Sequence, residues 1–309
     1  MALLFLARVD DPAVWLDGFR AALPDEEIRV FPAVGDPTEI DCALVANPPP
    51  GELAKLPRLR LICSLWAGVD GLLLDPSFPR RVPLARLVDP YMTQAMSESV
   101  LAHVFAAHRQ LDIYRRQQSE GVWRTQPQPR AQERRVGILG IGALGGDAAL
   151  KLTALGFDVA GWSRRPRELP GITSFAGADQ LIPFLRRSEI LVCLLPLTDE
   201  TRSILDARAF AALPAGATVV NLARGGLIVD RDLLAALDRG HIGGAVLDAF
   251  EVEPLAPDHP FWRHPRVQIT PHIAAISDAR SVAPVIAANV RRFRAGEPVQ
   301  NLVDLSAGY

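Results

Sequence analysis

The chain alternates short, continuously apolar runs with longer stretches whose apolar residues recur at helical spacing. In the first part Leu3–Ala7, Ile28–Phe31, Ala43–Ala46 and Leu61–Leu65 read as strands. In the second, Arg135–Leu139, Asp158–Trp162, Ile190–Leu194, Thr218–Leu222, Ala245–Asp248 and Val267–Thr270 do so. Polarity does not alternate within the second set, which predicts strands buried on both faces. Between the runs lie helical patterns: Pro12–Leu23, Ala148–Leu155, Ser281–Arg294, and Ser97–Ile113, with Val100, Leu101, Val104, Phe105 and His108 near one face. Strand–helix–strand repetition predicts an α/β fold of parallel sheets with right-handed crossovers. Asn47-Pro-Pro-Pro-Gly51 reads as a rigid loop. Gln118–Arg135 is polar and proline-containing, with no strand pattern. A stretch of this kind is either an arm reaching another subunit or a loosely packed surface loop.

With 309 residues the chain is long enough for two domains. A net charge of −2 is too balanced for nucleic acid or an anionic membrane to be the main partner. No apolar run approaches the roughly 18 residues of a membrane span. Met1–Ala7 lacks a basic flank and soon meets Arg8 and Asp10, so it reads as a first strand rather than a leader. Cys42, Cys63 and Cys193 lie inside apolar runs without C-x-x-C spacing. Free buried thiols in a reducing cytoplasm are expected, with neither a disulfide framework nor a zinc site.

The sharpest motif is Gly140-Ile-Gly142-Ala143-Leu144-Gly145, between the strand Arg135–Leu139 and an apolar helix. The first glycine makes the tight turn, the second admits a pyrophosphate and the third lets helix pack on strand. The helix N-terminus then offers free N–H groups to phosphate. An NAD site wants an acidic residue about 20 positions further on. Here Trp162-Ser163-Arg164-Arg165 stands instead, and Asp158 lies at the wrong end of its strand. Two guanidiniums and a hydroxyl suit a 2′-phosphate, so the expected cofactor is NADP(H).

Three polar residues fall just beyond the carboxyl ends of strands, where open α/β sheets place their ligands. They are Arg224 in Asn221-Leu-Ala-Arg224-Gly-Gly, Glu253 in Asp248-Ala-Phe-Glu-Val-Glu253-Pro, and His272 in Thr270-Pro-His272. Together they suffice for carbonyl reduction by hydride. The arginine holds and polarises a 2-oxo acid, the histidine gives a proton to its oxygen, and the carboxylate orients the ring and favours its protonated form. The remaining histidines, His103, His108, His241, His259 and His264, are expected to be structural, and no H-E-x-x-H or other metal spacing occurs.

These motifs, with Leu65-Trp-Ala-Gly-Val-Asp70 and Leu194-Leu-Pro-Leu-Thr198, resemble the D-isomer-specific 2-hydroxyacid dehydrogenase family. The chain looks most like its NADPH-dependent glyoxylate/hydroxypyruvate reductase A group. The resemblance runs from the loop at Leu65 to Gly308-Tyr309. It implies two doubly wound domains, Rossmann-like and flavodoxin-like, with the active site in a cleft between them. The implied borders are 1–98 plus 274–309 for the substrate domain and 99–273 for the inserted dinucleotide domain. By similarity Arg224 binds substrate, His272 is the acid/base and Glu253 its partner. Trp66, Ala67, Gly68 and Val69 grip the substrate carboxylate through backbone N–H groups. Asp248 contacts the nicotinamide carboxamide, and Leu195 and Pro196 form an apolar wall. The implied cofactor set also includes Ala143, Leu144, Trp162, Leu222 and Ala274. Many relatives have a small residue where Trp66 stands, which leaves the substrate's size open. The resemblance further implies a homodimer. The extra regulatory domain of some relatives is not expected, because little chain follows the helix Ser281–Arg294. Two other readings stay open: a reductase of a bulkier 2-oxo acid, and a dinucleotide-sensing scaffold of the corepressor kind.

Overall fold

The structure, a computed structural model, describes residues 1–305 and 308; Tyr309, where the resemblance ends, lies outside them. Two compact units emerge: Met1–Met92 with Ser277–Tyr309, and Thr93–Ile276. The resemblance puts these borders at 98/99 and 273/274. The first border lies within one helix, Pro90–His108, whereas the apolar pattern predicts a helix from Ser97 to Ile113. Asp89 starts that helix by accepting from the N–H groups of Tyr91 at 3.1 Å and Met92 at 3.4 Å. Pro90 supplies the preset φ of a first helical turn. Gln110, in the left-handed region at φ 56°, separates it from a second helix, Leu111–Ser119.

Among its described residues the first unit holds five strands: β1 (Ala2–Ala7), β2 (Ile28–Val30), β3 (Ile40–Ala46), β4 (Leu61–Ser64) and β5 (Leu84–Ala85). They pair in parallel in the order β2-β1-β3-β4-β5, a flavodoxin-like winding. The second unit holds β6 (Arg135–Leu139), β7 (Asp158–Ser163), β8 (Thr173–Ala176), β9 (Ile190–Cys193), β10 (Ala217–Asn221), β11 (Ile242–Leu247) and β12 (Val267–Ile269). Their order, β12-β11-β10-β9-β6-β7-β8, is the doubly wound dinucleotide-binding order with one added strand. β5 and β8 escape the sequence pattern because both are short edge strands, one of two residues and the other half-exposed.

The continuous apolar runs now have a packing reason. Along β6, β9 and β11, successive residues alternate between two separate clusters. Ile138, Ile190, Val192 and Val246 join one, and Leu139, Leu191, Cys193, Ala245 and Leu247 join the other. A strand with a core on each face cannot place a polar side chain on either. The three cysteines are free and buried, and burial pushes the Cys193 thiol up to about 12. Among the described residues no helix is long and apolar enough to cross a membrane.

Candidate active site

The order of the second sheet reverses between β6 and β9, and crevices at such switch points receive ligands. Gly140 ends β6 at φ 97°, and a side chain there would meet the Leu194 carbonyl oxygen at 2.8 Å. A Cβ on Gly145 would stand 1.9 Å from the Gly140 oxygen, so only glycine lets the helix Ala143–Ala154 approach its own turn. Beside Gly142, by contrast, nothing among the described residues lies within 4 Å of a Cβ position. That open space and the uncapped first turn, with Ala143 and Leu144, fit a pyrophosphate. Arg167, which carries no signal in the sequence pattern, braces the turn by donating to the Ile141 carbonyl at 3.2 Å.

At the end of β7, Arg164 and Arg165 follow the strand as expected. Ser163 donates its hydroxyl to the Arg165 carbonyl at 2.7 Å, folding the loop back. Arg164 donates to Glu200 at 3.0 Å. Trp162 is buried and its indole N–H donates to Gly177 at 2.9 Å, so the ring serves the core. Leu195, Leu222 and Ala274 are likewise buried, and Pro196 is half-buried beside Leu195. Asp158, at the far end of β7, pairs with Arg187 at 2.6 Å.

His272 and Glu253 come together. Nδ1 of His272 lies 2.9 and 3.1 Å from the two carboxylate oxygens of Glu253. One of those oxygens also accepts the Phe250 N–H at 2.9 Å, which fixes the carboxylate from behind. His272 has a left-handed backbone, φ 55°, and donates its N–H to the Asp248 carbonyl at 2.8 Å. The buried Asp248 carboxylate accepts from the Thr270 hydroxyl at 2.6 Å, the Ile273 N–H at 2.8 Å and the Ala274 N–H at 2.9 Å. Ser99 donates to the Ala274 carbonyl at 2.6 Å from the long helix. Asp248, Thr270 and Ser99 thus pin the loop that presents His272. Sequence reasoning gives Asp248 only a cofactor contact and misses the other two.

Arg224 is half-buried, and the buried Asn221 shapes its loop. Asn221 donates to the Arg224 carbonyl at 2.9 Å and accepts from Ala223 at 3.2 Å. In the other unit, the loop Trp66–Val69 follows β4. Ser64 Oγ brackets Trp66, accepting its N–H at 3.1 Å and donating to its carbonyl at 3.0 Å. The Trp66 ring meets Trp15 edge-on at 5.8 Å. Ala67 and Gly68 are half-buried and Val69 is buried.

Four of the other five histidines, His108, His241, His259 and His264, have structural partners. His108 stacks edge-on to Phe157 at 5.1 Å, and burial lowers its pKa. Burial also lowers that of His103, against the opposing pull of Asp248. His241 lies 3.0 Å from the Phe210 carbonyl. His259 and His264 lie 3.4 Å from Asp230 and Asp238. Among the described residues no group of three or more His, Cys, Asp or Glu could hold a metal ion.

A parallel sheet with a glycine turn at its switch point and a histidine–carboxylate pair at its strand ends defines a dinucleotide-dependent dehydrogenase class. The family model for the D-isomer specific 2-hydroxyacid dehydrogenase NAD binding domain matches residues 101–274. The chain is 42% identical over the full length of both proteins to a glyoxylate/hydroxypyruvate reductase A from Serratia proteamaculans. It is 45% identical, with a TM-score of 0.96, to a D-isomer specific 2-hydroxyacid dehydrogenase from Xanthobacter autotrophicus solved with NADPH and MES, covering 100% and 99% of the two chains. An NADPH-dependent glyoxylate/hydroxypyruvate reductase from Sinorhizobium meliloti, solved with NADP and sulfate, is 39% identical at a TM-score of 0.93, with the same coverage. The chain belongs to the D-isomer specific 2-hydroxyacid dehydrogenase family.

Proposed function

We propose that this chain is an NADPH-dependent reductase of small 2-oxo acids, converting glyoxylate to glycolate and hydroxypyruvate to D-glycerate. The observation that carries the chemistry is the His272–Glu253 pair. It engages Nδ1 at 2.9 Å and leaves Nε2 as the ring nitrogen for substrate. Full-length likeness to relatives named for these substrates supports the substrate class.

In this reading Arg224 binds the carboxylate and carbonyl of the 2-oxo acid and polarises the C=O bond. His272 gives its Nε2 proton to the carbonyl oxygen as a C–H bond forms at the carbonyl carbon, leaving a hydroxyl. Glu253 holds the ring in place and balances its charge. Backbone N–H groups of Trp66, Ala67, Gly68 and Val69 grip the substrate carboxylate. The turn Gly140–Gly145 takes the pyrophosphate, while Ser163, Arg164 and Arg165 take the 2′-phosphate. Leu195 and Pro196 would form the apolar wall, Leu222 and Ala274 would complete the cofactor site, and Asp248 would hold the nicotinamide carboxamide. Bound NADPH supplies the hydride.

A second copy of the chain is the proposed partner. Trp123 is fully exposed at 100%, in the arm between the helix Leu111–Ser119 and β6. Val122 and Leu111 are exposed near it in sequence, and a groove of about 500 Å³ adjoins the arm at Pro127, Gln128 and Pro129. The free buried thiols suit a cytoplasmic setting.

The test is loss of absorbance at the nicotinamide band with glyoxylate or hydroxypyruvate, NADPH and NADH side by side. Rapid oxidation of NADPH with little of NADH is expected. No turnover of any small 2-oxo acid by protein that binds NADPH would overturn the reading in favour of a scaffold. A preference of more than about tenfold, roughly 1.4 kcal/mol, for a bulky acid would overturn the substrate assignment.

A further inference from the structure

The ion pair beyond β7 bears on how this protein chooses between cofactors. Nη1 of Arg164 donates to Oε2 of Glu200 at 3.0 Å, although the two residues are 36 positions apart. Glu200 sits in the turn after β9, and that turn is tightly built. The Thr198 N–H donates to Thr201 Oγ1 at 2.8 Å, and Thr201 Oγ1 donates to the Pro196 carbonyl at 2.7 Å. Glu200 is therefore delivered to Arg164 by a fixed piece of backbone. The pair faces solvent, with side-chain exposures of 33% for Arg164 and 68% for Glu200, so its partners are exchangeable.

We propose that Glu200 is a specificity-determining residue that occupies the Arg164 guanidinium and is displaced by the 2′-phosphate of NADP(H). The inference rests on the proposed role of Arg164 as a phosphate ligand. A phosphate approaching Arg164 loses part of the existing attraction between Arg164 and Glu200, and it meets the repulsion of a nearby carboxylate. Both effects oppose NADPH. Neither touches NADH, whose 2′-hydroxyl carries no charge. Glu200 thereby narrows the preference that Arg164 and Arg165 create.

The experiment measures dissociation constants of the full-length protein for NADPH, NADH, 2′,5′-ADP and 5′-AMP, in the wild type, Glu200→Gln, Arg164→Gln and the double variant. Glu200→Gln is expected to tighten NADPH and 2′,5′-ADP by about 1.4-fold to fivefold, the range of an exposed ion pair, and to leave NADH and 5′-AMP unchanged. The gain should shrink in high salt and shrink again in the Arg164→Gln background, where only the repulsion between carboxylate and phosphate remains. Unchanged or weaker NADPH binding in Glu200→Gln overturns the proposal, as does equal tightening of both dinucleotides. The two levels separate cleanly. If Arg164→Gln leaves NADPH as tight as in the wild type, the phosphate role of Arg164 fails. If Arg164→Gln weakens NADPH but Glu200→Gln does not tighten it, only the role of Glu200 fails.

Discussion

His272 holds a backbone conformation, φ 55°, that costs a non-glycine residue about 1–2 kcal/mol. The loop keeps it there because Asp248 takes three hydrogen bonds from the residues on either side, and Ser99 takes up the Ala274 carbonyl. His272→Ala should lower kcat by about 10²–10⁴, the usual worth of a positioned general acid. It should change the NADPH dissociation constant less than about twofold, and steady-state kinetics beside a binding titration checks both. Thr270→Val keeps the side chain's shape but removes the 2.6 Å bond to Asp248. It should cost about 1.5–3 kcal/mol of stability, as for a hydrogen bond to a charged group, and lower kcat several-fold with little change in NADPH binding. Denaturant melts and kinetics on the same sample test it; an unchanged kcat would show that Asp248 holds the loop without Thr270. The strand-end positions of Arg224, Glu253 and His272 were legible in the sequence because chain order fixes which residue comes after a strand. The bonds around Asp248 were not, since they join positions 22 to 26 residues apart.

At the level of elements, the glycine turn shows most clearly how local sequence sets local structure. Gly145→Ala would put a methyl group 1.9 Å from the Gly140 oxygen, and backbone there has no flexible end to yield. Overpacking of this kind costs about 1–3 kcal/mol. The variant should lose both thermal stability and NADPH affinity, read by a melting curve and a titration. The long helix supports a prediction about pH. His108 is buried against Phe157 with Nδ1 unpartnered among the described residues, and burial lowers its pKa in the folded state. The unfolded chain therefore binds more protons as pH falls through about 6.5, and stability drops with it. His108→Phe removes both the titration and the orphaned nitrogen. Its melting temperature should fall less between pH 7 and pH 5 than that of the wild type, provided His103, lowered by the same cause, is left in place to account for the remaining slope. This helix was half legible. Its apolar face was readable, but its start at Pro90 hung on the cap from Asp89, and its end on the left-handed Gln110.

For the molecule as a whole, the prediction concerns assembly. Trp123 and its neighbour Val122 together expose apolar surface on one arm, and contiguous exposed apolar surface marks interaction sites. Sedimentation velocity should find the wild type as a dimer at micromolar concentration, and Trp123→Glu should shift it toward monomer. A monomeric wild type would end the pairing proposal. The succession of the main strands and helices along the chain, the burial of the central strands on both faces, the glycine turn and the strand-end positions of Arg224, Glu253 and His272 follow from the sequence alone. All of these depend on periodicity, on glycine and proline chemistry, or on the succession of residues along the chain. Only the tertiary structure decided the order of strands across each sheet and the short edge strands β5 and β8. It alone closed Asp248 around the His272 loop, turned the Trp66 ring onto Trp15 and set Glu200 against Arg164. Each of these is a contact between residues far apart in the chain, and no local pattern of hydrophobic and polar positions encodes which distant partner a side chain will meet.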